Sequence, residues 1–405
     1  MSATAKPEPP EAHTARLPPD ARSVLRIDLA ALRSNWARLN AETGSAECGG
    51  VVKADAYGLG LEEVTNALAS EGCSTFFVAT VGEGRATRLV QPGATIYVLD
   101  GLLAGAENLY SGFDLRPVLS SLVEVEEWAA FCRRIGRLLP AALHIDTGIN
   151  RLGMGDSDVR LLSRRMDPLK AFDLSLVMSH LACADDPESP KNAAQREKFE
   201  CLRGLLPPAK SSLANSGGIF LGPDYHFDLV RPGIALYGGR ALEGRPNPMQ
   251  TVAYLSARIL QVREVAAGET VGYGAIWKVD TPARIATIAC GYADGFLRAL
   301  SHPSGPAGAV GYIGDYPVPV VGRVSMDLLT VDVTGVPEAL ACRGGWVEVM
   351  GDRVTVDDLT DRAGTIGYEL LARLSRRVHR IYTGHHTTGH HTTGHSTGHS
   401  TGHGA

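Results

Sequence analysis

Eight short apolar runs between residues 49 and 233 constrain this chain more than any other feature. They read VVKAD (51–55), FFVAT (76–80), TIYVLD (95–100), RPVLS (116–120), ALHID (142–146), SLVMSH (175–180), SSLANS (211–216) and DLVRPG (228–233). Helix-compatible stretches such as 61–70 and 123–135 lie between most of them. Strands alternating with helices imply βαβ units and a parallel sheet, hence the α/β class. Eight such units over roughly 190 residues predict a closed (β/α)8 TIM barrel, shorter than the usual ~250 residues. An open doubly wound sheet is the alternative. Polar placement favours the barrel: Lys53, Asp146, His180, Asn215, Ser216 and Arg231 all fall at the C-terminal ends of runs. In a barrel those ends converge on one mouth, where active sites are built.

The texture changes near residue 254. Runs at 255–265, 284–290, 317–324, 328–334 and 346–351 lie close together, separated by turn residues. This pattern predicts a second, mostly antiparallel β domain, with one amphipathic helix near 365–374. Before the barrel, 24–30 (VLRIDLA) starts as a strand, and Asp28 is placed to cap a helix from Leu29 to about Glu42. The organisation is therefore a disordered extension (1–22), a barrel (23–254), a β domain (255–382) and a disordered His/Gly/Thr-rich tail (383–405). The tail carries no large apolar residue to bury. Its repeated histidines offer adventitious affinity for divalent metal, with no defined metal site.

Bulk properties exclude several functions. A formal net charge of −5 argues against an electrostatic nucleic-acid binder. No apolar run approaches the length that crosses a bilayer, and residues 1–21 lack the apolar core of a signal peptide. The seven cysteines are scattered, with no CxxC or ligand-like spacing, which points to reduced thiols in a cytoplasm.

Several polar stretches are not explained by packing. VVKADAYGLG (51–60) places Lys53 where a strand should end, followed by Tyr57. Burying an unpaired ammonium is costly, yet a neutral amine is what a Schiff base or proton carrier requires. HIDTGINRLG (144–153) carries Arg151, and LANSGG (213–218) offers Asn215, Ser216 and a glycine-rich nest of N–H groups suited to an anion. DLVRPGIALYG (228–238) sets Arg231 beside Gly233. In the β domain, VGYGAIW (271–277) sets Tyr273 between glycines, and VVGRVSMDLLTVD (320–332) sets Arg323, Met326 and Asp327 in a strand.

Each has an ordinary reading: a snorkelling lysine, a turn, a satisfied histidine, a core tyrosine, an Arg323–Asp327 salt bridge. Their joint occurrence fits one cofactor, pyridoxal 5′-phosphate (PLP). It needs a lysine, donors for a dianionic phosphate and a partner for its pyridine nitrogen.

The chain resembles the alanine racemase family over about 23–382. The resemblance is carried by VVKADAYGLG, DTGINRLG, SHLACAD, ANSGG, VRPGIALYG, GYGAIW, GYADGF, GRVSMD and IGYE in the family's order. It implies a PLP enzyme of barrel plus β domain, working as a homodimer with shared active sites on a small amino acid. The reaction implied is interconversion of L- and D-alanine, supplying D-alanine for peptidoglycan. By resemblance, Lys53 forms the Schiff base and is one acid–base group; Tyr273, from the second subunit, is the other. Tyr57, Ser216, Tyr368 and the N–H groups of Gly233 and Ile234 would reach the phosphate, within the nest that Asn215 opens. Arg231 would face the pyridine nitrogen, with His180 linking it to Tyr273. Arg151 would contact the phenolic oxygen and the substrate carboxylate, which would also meet the N–H of Met326. Asp185, Tyr292 and Arg323 would belong to the entrance. One position departs: where many members have a lysine two residues before the Asp of DTG, this chain has His144.

Two bases on opposite faces suffice for racemisation. An arginine at the pyridine nitrogen stays protonated and cannot hand a proton to the ring. A racemase of the same fold for serine or another small amino acid, and a non-catalytic PLP carrier, are the alternatives. The β domain with Tyr273 and Met326 counts against the carrier.

Overall fold

The computed structural model describes residues 17–301 and 308–385. Of the segments expected to be disordered, 1–22 and 383–405, residues 1–16 and 386–405 lie outside the described residues, and Thr383 belongs to the strand His379–Thr383.

All eight predicted barrel runs form strands. Gly50–Val51, Thr75–Val78, Thr95–Val98, Arg116–Leu119, Pro140–His144, Asp173–Met178 and Lys210–Ser212 lie side by side, each parallel to the next. The eighth, Leu229–Val230, pairs in parallel with Glu47–Cys48. It closes the ring: Asp228 N donates to Ser211 O at 3.0 Å, and Val51 N to Pro232 O at 3.0 Å. Phe76, Phe77, Ile96, Leu119 and Leu143 are wholly buried in this core. The surrounding helices follow their apolar spacing. In Leu122–Ile135, Val125, Trp128, Ala129 and Cys132 form the buried stripe expected of an amphipathic helix. Ser121 caps its start by accepting from Glu124 N, and Gly136 ends it at φ +64°.

The β domain is an eight-stranded sheet in the order Ala283–Ile288, Leu329–Asp332, Tyr316–Val321, Val310–Ile313, Trp346–Met350, Ala253–Val265, Ser23–Asp28, His379–Thr383. Its pairs are antiparallel except the last. Ala253–Val265 is long enough to pair with Trp346–Met350 through its first half and Ala283–Ile288 through its second.

Four expectations need correction. The strand Ser23–Asp28, assigned above to the barrel, is an inner strand of the β-domain sheet, so the barrel begins at helix Leu29–Glu42. Asp28 caps that helix as anticipated, accepting from Ala30 N at 2.9 Å and Ala31 N at 3.0 Å. Ala21 and Arg22 are tied to the sheet, because Arg258 donates from its backbone N to Arg22 O and from Nε to Ala21 O, both at 2.9 Å. Arg323, Met326 and Asp327 stand in a loop, since the strand ends at Val321 and Gly322 turns the chain at φ +73°. Asp327 pairs with Arg377 at 2.7 Å, and Arg323 is not its partner. The segment 365–374 holds the expected helix as Gly367–Ala372, but a preceding helix, Val356–Ala363, was not anticipated.

Candidate active site

A cavity of about 710 Å³ opens at the C-terminal mouth of the barrel. Lys53, Tyr57, Arg151, His180, Asp185, Asn215, Ser216, Arg231, Gly233 and Tyr368 all line it.

The lysine leaves its strand through an unusual turn. Ala54, Asp55, Ala56 and Tyr57 take φ of 54°, 55°, 52° and 56°, a left-handed turn built without glycine. Such a conformation costs roughly 1–2 kcal/mol per L-residue, so its surroundings must hold it. Glu83 accepts from Ala54 N at 2.7 Å and Asp55 from Leu61 N at 3.0 Å. Arg380 donates to Gly58 O at 2.8 Å. The turn aims Lys53 into the cavity and Tyr57 beneath it. Burial, then the Arg151 charge, lowers the Lys53 pKa from the ordinary lysine value. No carboxylate lies within ion-pair distance of it among the described residues. Both effects favour its neutral form.

Across the mouth stands a cradle for an anion. Ser216 Oγ accepts from Gly233 N at 2.9 Å and Ala235 N at 3.3 Å, leaving its own proton free to donate outward. The amide of Ile234 between them has no internal acceptor among the described residues. Tyr57 stacks on Tyr237 at 4.6 Å and tilts against Tyr368 at 5.8 Å. A Cβ on Gly233 would lie 2.3 Å from the Tyr57 hydroxyl, and one on Gly217 would lie 2.5 Å from Ala184 O. The tight cradle therefore depends on glycine at both places. Asn215 caps the short helix here through Gly218 N at 3.0 Å, so it shapes the nest. This donor set suits a phosphate, and the amine beside it suits an aldehyde; the residues present fit PLP.

Arg231 is buried at the bottom of the cavity with only neutral partners: Ser212 Oγ, Ser179 O at 2.6 Å, Leu213 O at 3.4 Å and His180 Nδ1 at 3.5 Å. Its charge is held by dipoles and is not cancelled. Burial, then this guanidinium, pushes His180 well below the usual histidine range, so its ring is neutral. His144 is likewise lowered to about 4 by burial and then by Arg231. Its Nδ1 lies 3.4 Å from Ser120 Oγ, and its Nε2 has no hydrogen-bond partner.

Arg151 stands on a loop pinned by Asp146, whose Oδ1 accepts from Gly148, Ile149 and Asn150 at 2.9–3.1 Å. Burial raises the Asp146 pKa, but these three N–H groups outweigh it and hold it below the usual range. Met154 N donates to His144 O at 2.8 Å and Asp146 N to Met154 O at 2.9 Å, closing the loop on the strand end.

Tyr273, Tyr292, Arg323 and Met326 do not line this cavity. They gather on adjoining loops of the β domain. Tyr292 N donates to Ser325 O at 3.1 Å, and a Cβ on Gly272 would lie 3.1 Å from Arg323 N. Tyr273 is 71% exposed and Met326 54%, against 6% for Tyr57.

Sequence reasoning passed over Tyr237, whose hydroxyl donates to Val51 O at 2.8 Å, and Ser212 and Ser179, which cradle Arg231. Tyr237 stood within IALYG, beside assigned residues, and its place after the eighth run was the available signal. The serines gave none, being ordinary strand residues by composition.

The chain matches the family Alanine racemase, N-terminal domain over residues 27–241, and Alanine racemase, C-terminal domain over 252–382. The alanine racemase of Rhizobium meliloti is 46% identical over 372 residues, spanning 90% of this chain and 97% of its own length. That of Methylobacterium nodulans is 48% identical, spanning 88% and 95%. The crystal structure of alanine racemase from Bartonella henselae with covalently bound pyridoxal phosphate superposes with a TM-score of 0.85 at 36% identity, covering 90% of this chain and 100% of that one.

Proposed function

This chain belongs to the alanine racemase family, and from that premise we propose how its own residues interconvert L- and D-alanine with PLP. The observation that carries the reading is the unpaired, partly buried amine of Lys53 facing the Ser216–Gly233 cradle across one cavity.

Tyr57, Ser216, Tyr368 and the amide of Ile234 would hold the cofactor's phosphate, with the Gly233 amide fixing Ser216 Oγ; Lys53 would hold its aldehyde carbon until the substrate amine takes that place and frees Nζ. The bound cofactor withdraws electrons from the substrate Cα and so acidifies its proton. Arg231 would face the pyridine nitrogen; burial lowers its pKa to about 9, yet it still keeps its proton at neutral pH, so it would limit that withdrawal. Arg151 orients the substrate carboxylate from the barrel side.

Lys53 Nζ takes or returns the Cα proton on one face. Its pKa, lowered by burial, leaves a larger neutral fraction to accept it. Tyr273 Oη serves the opposite face, the Met326 N–H binds the substrate carboxylate, and Tyr292, Arg323 and Asp185 frame the entrance. Asp185 lines the cavity of its own chain, whereas Tyr273, Tyr292, Arg323 and Met326 come from a second copy, because in one chain they lie outside the cavity that holds Lys53. Their exposure supports the homodimer.

The D-alanine formed serves peptidoglycan synthesis in the cytoplasm. No helix among the described residues is long and apolar enough to cross a membrane. An absorption spectrum with added PLP, followed by an L-alanine to D-alanine assay, tests the reading. The account expects a visible band from lysine-bound cofactor that Lys53→Ala lacks, and alanine turned over faster than serine. A band that survives in Lys53→Ala overturns it.

A further inference from the structure

The loop that carries Met326 is held by the two ends of the chain. Arg377, just before the last strand, spans two carboxylates: its Nε meets Asp294 Oδ1 at 2.9 Å and its Nη2 meets Asp327 Oδ1 at 2.7 Å. Asp294 belongs to the turn bearing Tyr292, and Asp327 directly follows Met326. From the other end of the chain, Arg22 Nη2 donates to Asp327 O at 3.2 Å. The two loops are also stitched by backbone: Tyr292 N to Ser325 O at 3.1 Å and Ala293 N to Met326 O at 2.9 Å. A Cβ on Gly291 would lie 2.4 Å from Met326 O, so the loops touch with no room between them.

Asp294 is no ordinary surface carboxylate. It is 3% exposed, and it accepts from Gly291 N at 2.9 Å while its own carbonyl accepts from Ser375 N at 3.2 Å. Burial raises its pKa even with the Gly291 N–H and Arg377 beside it. A buried acid retained at this cost needs its arginine, and the arginine's other arm is thereby fixed on Asp327. Met326 N makes no hydrogen bond within the chain among the described residues. The clamp thus presents one free amide on an otherwise exposed loop.

We propose that Arg377, through Asp294 and Asp327, is a positioning residue that sets the Met326 N–H for the substrate carboxylate in the partner subunit's cavity. This rests on the reading that the β-domain loops complete the second copy's site. The planar guanidinium reaches both carboxylates along two fixed, divergent N–H directions; a lysine ammonium is a single point charge without that fork. Arg377 touches neither of the residues proposed as bases, so its loss falls on substrate placement.

The test compares Arg377→Lys with Asp327→Asn, whose carboxylate is about half exposed and whose loss leaves the buried Asp294 paired. Each should raise KM for alanine about tenfold, with kcat within about twofold and the visible cofactor band unchanged. The double variant should be little worse than Arg377→Lys alone, because both changes break one contact. Unchanged KM in both variants overturns the clamp and leaves the shared-site reading standing. Mixing Arg377→Lys chains with Lys53→Ala chains separates the two ideas. Hybrid dimers place the only competent Lys53 opposite an intact clamp, so a component with wild-type KM should appear. A raised KM that the Lys53→Ala chains fail to rescue overturns the shared-site reading, and with it the clamp's action on the partner's substrate.

Discussion

Lys53 and Tyr273 sit in opposite surroundings. The lysine stands in a cavity lined by residues of its own chain, on a turn strained at four consecutive residues and held by Glu83, Asp55 and Arg380. Burial shifts the pKa of Lys53, His180 and His144 there. The tyrosine stands on a short 3-10 turn between two glycines with positive φ, open to solvent, beside an exposed methionine. One surface is finished within the fold and the other waits for a cover. The difference teaches that burial can tune an amine such as Lys53 within one chain, whereas the proposed shared site would give Tyr273 its surroundings only on assembly.

The sharpest way to break this comparison is to remove the amine. Lys53→Ala takes away both the hold on the cofactor and one base, and should lower kcat for racemisation by roughly 10⁴-fold or more. Tyr273→Phe removes one hydroxyl and should cost about 10²–10⁴-fold in racemisation, with cofactor binding unchanged. One base remains on the other face, so one enantiomer should still exchange its α-hydrogen with deuterated water without inverting. NMR of each enantiomer reads this; equal loss of exchange for both contradicts two bases on two faces.

Gly233→Ala acts on the cradle alone. Its methyl would meet the Tyr57 hydroxyl at 2.3 Å, so the overpacking of about 1–3 kcal/mol should weaken cofactor affinity roughly 5- to 150-fold. Titration of the apoprotein with PLP measures it. A further effect falls on pH stability, away from the chemistry itself. His144 falls to about 4 in the folded chain, against 6.5 when unperturbed. The unfolded chain therefore takes up the proton first as pH falls. Stability is complete above about 6.5 and is lost down to about 4, by about 3 kcal/mol in all. Relative to His144→Asn, the wild type should lose this much by denaturant unfolding across that window, and a flat difference would contradict it.

The barrel half was legible because a parallel sheet writes itself in the chain as repeated apolar runs, whose last residues share one end. Lys53, Ser216 and Arg231 were found that way, and the residue types then restricted the cofactor. The β-domain half was less legible. Ser23–Asp28 was assigned to the barrel by adjacency, though its partners lie more than two hundred residues away. Non-local pairing leaves no local mark. Residues 322–328 read as strand because Val and Leu flank them, and the glycine that turns the chain was the signal against it. Arg377, Arg22 and Asp294 meet only in the folded chain, so no spacing could join them.

Two individually inactive chains put the central claim to its most direct trial. Lys53→Ala and Tyr273→Phe proteins, unfolded and refolded together, form hybrid dimers in which one of two cavities joins an intact Lys53 to an intact Tyr273. The account predicts recovery of about a quarter of the wild-type alanine racemisation rate, from half the dimers carrying one good site each. A mixture no more active than its two components would contradict a site shared between two copies.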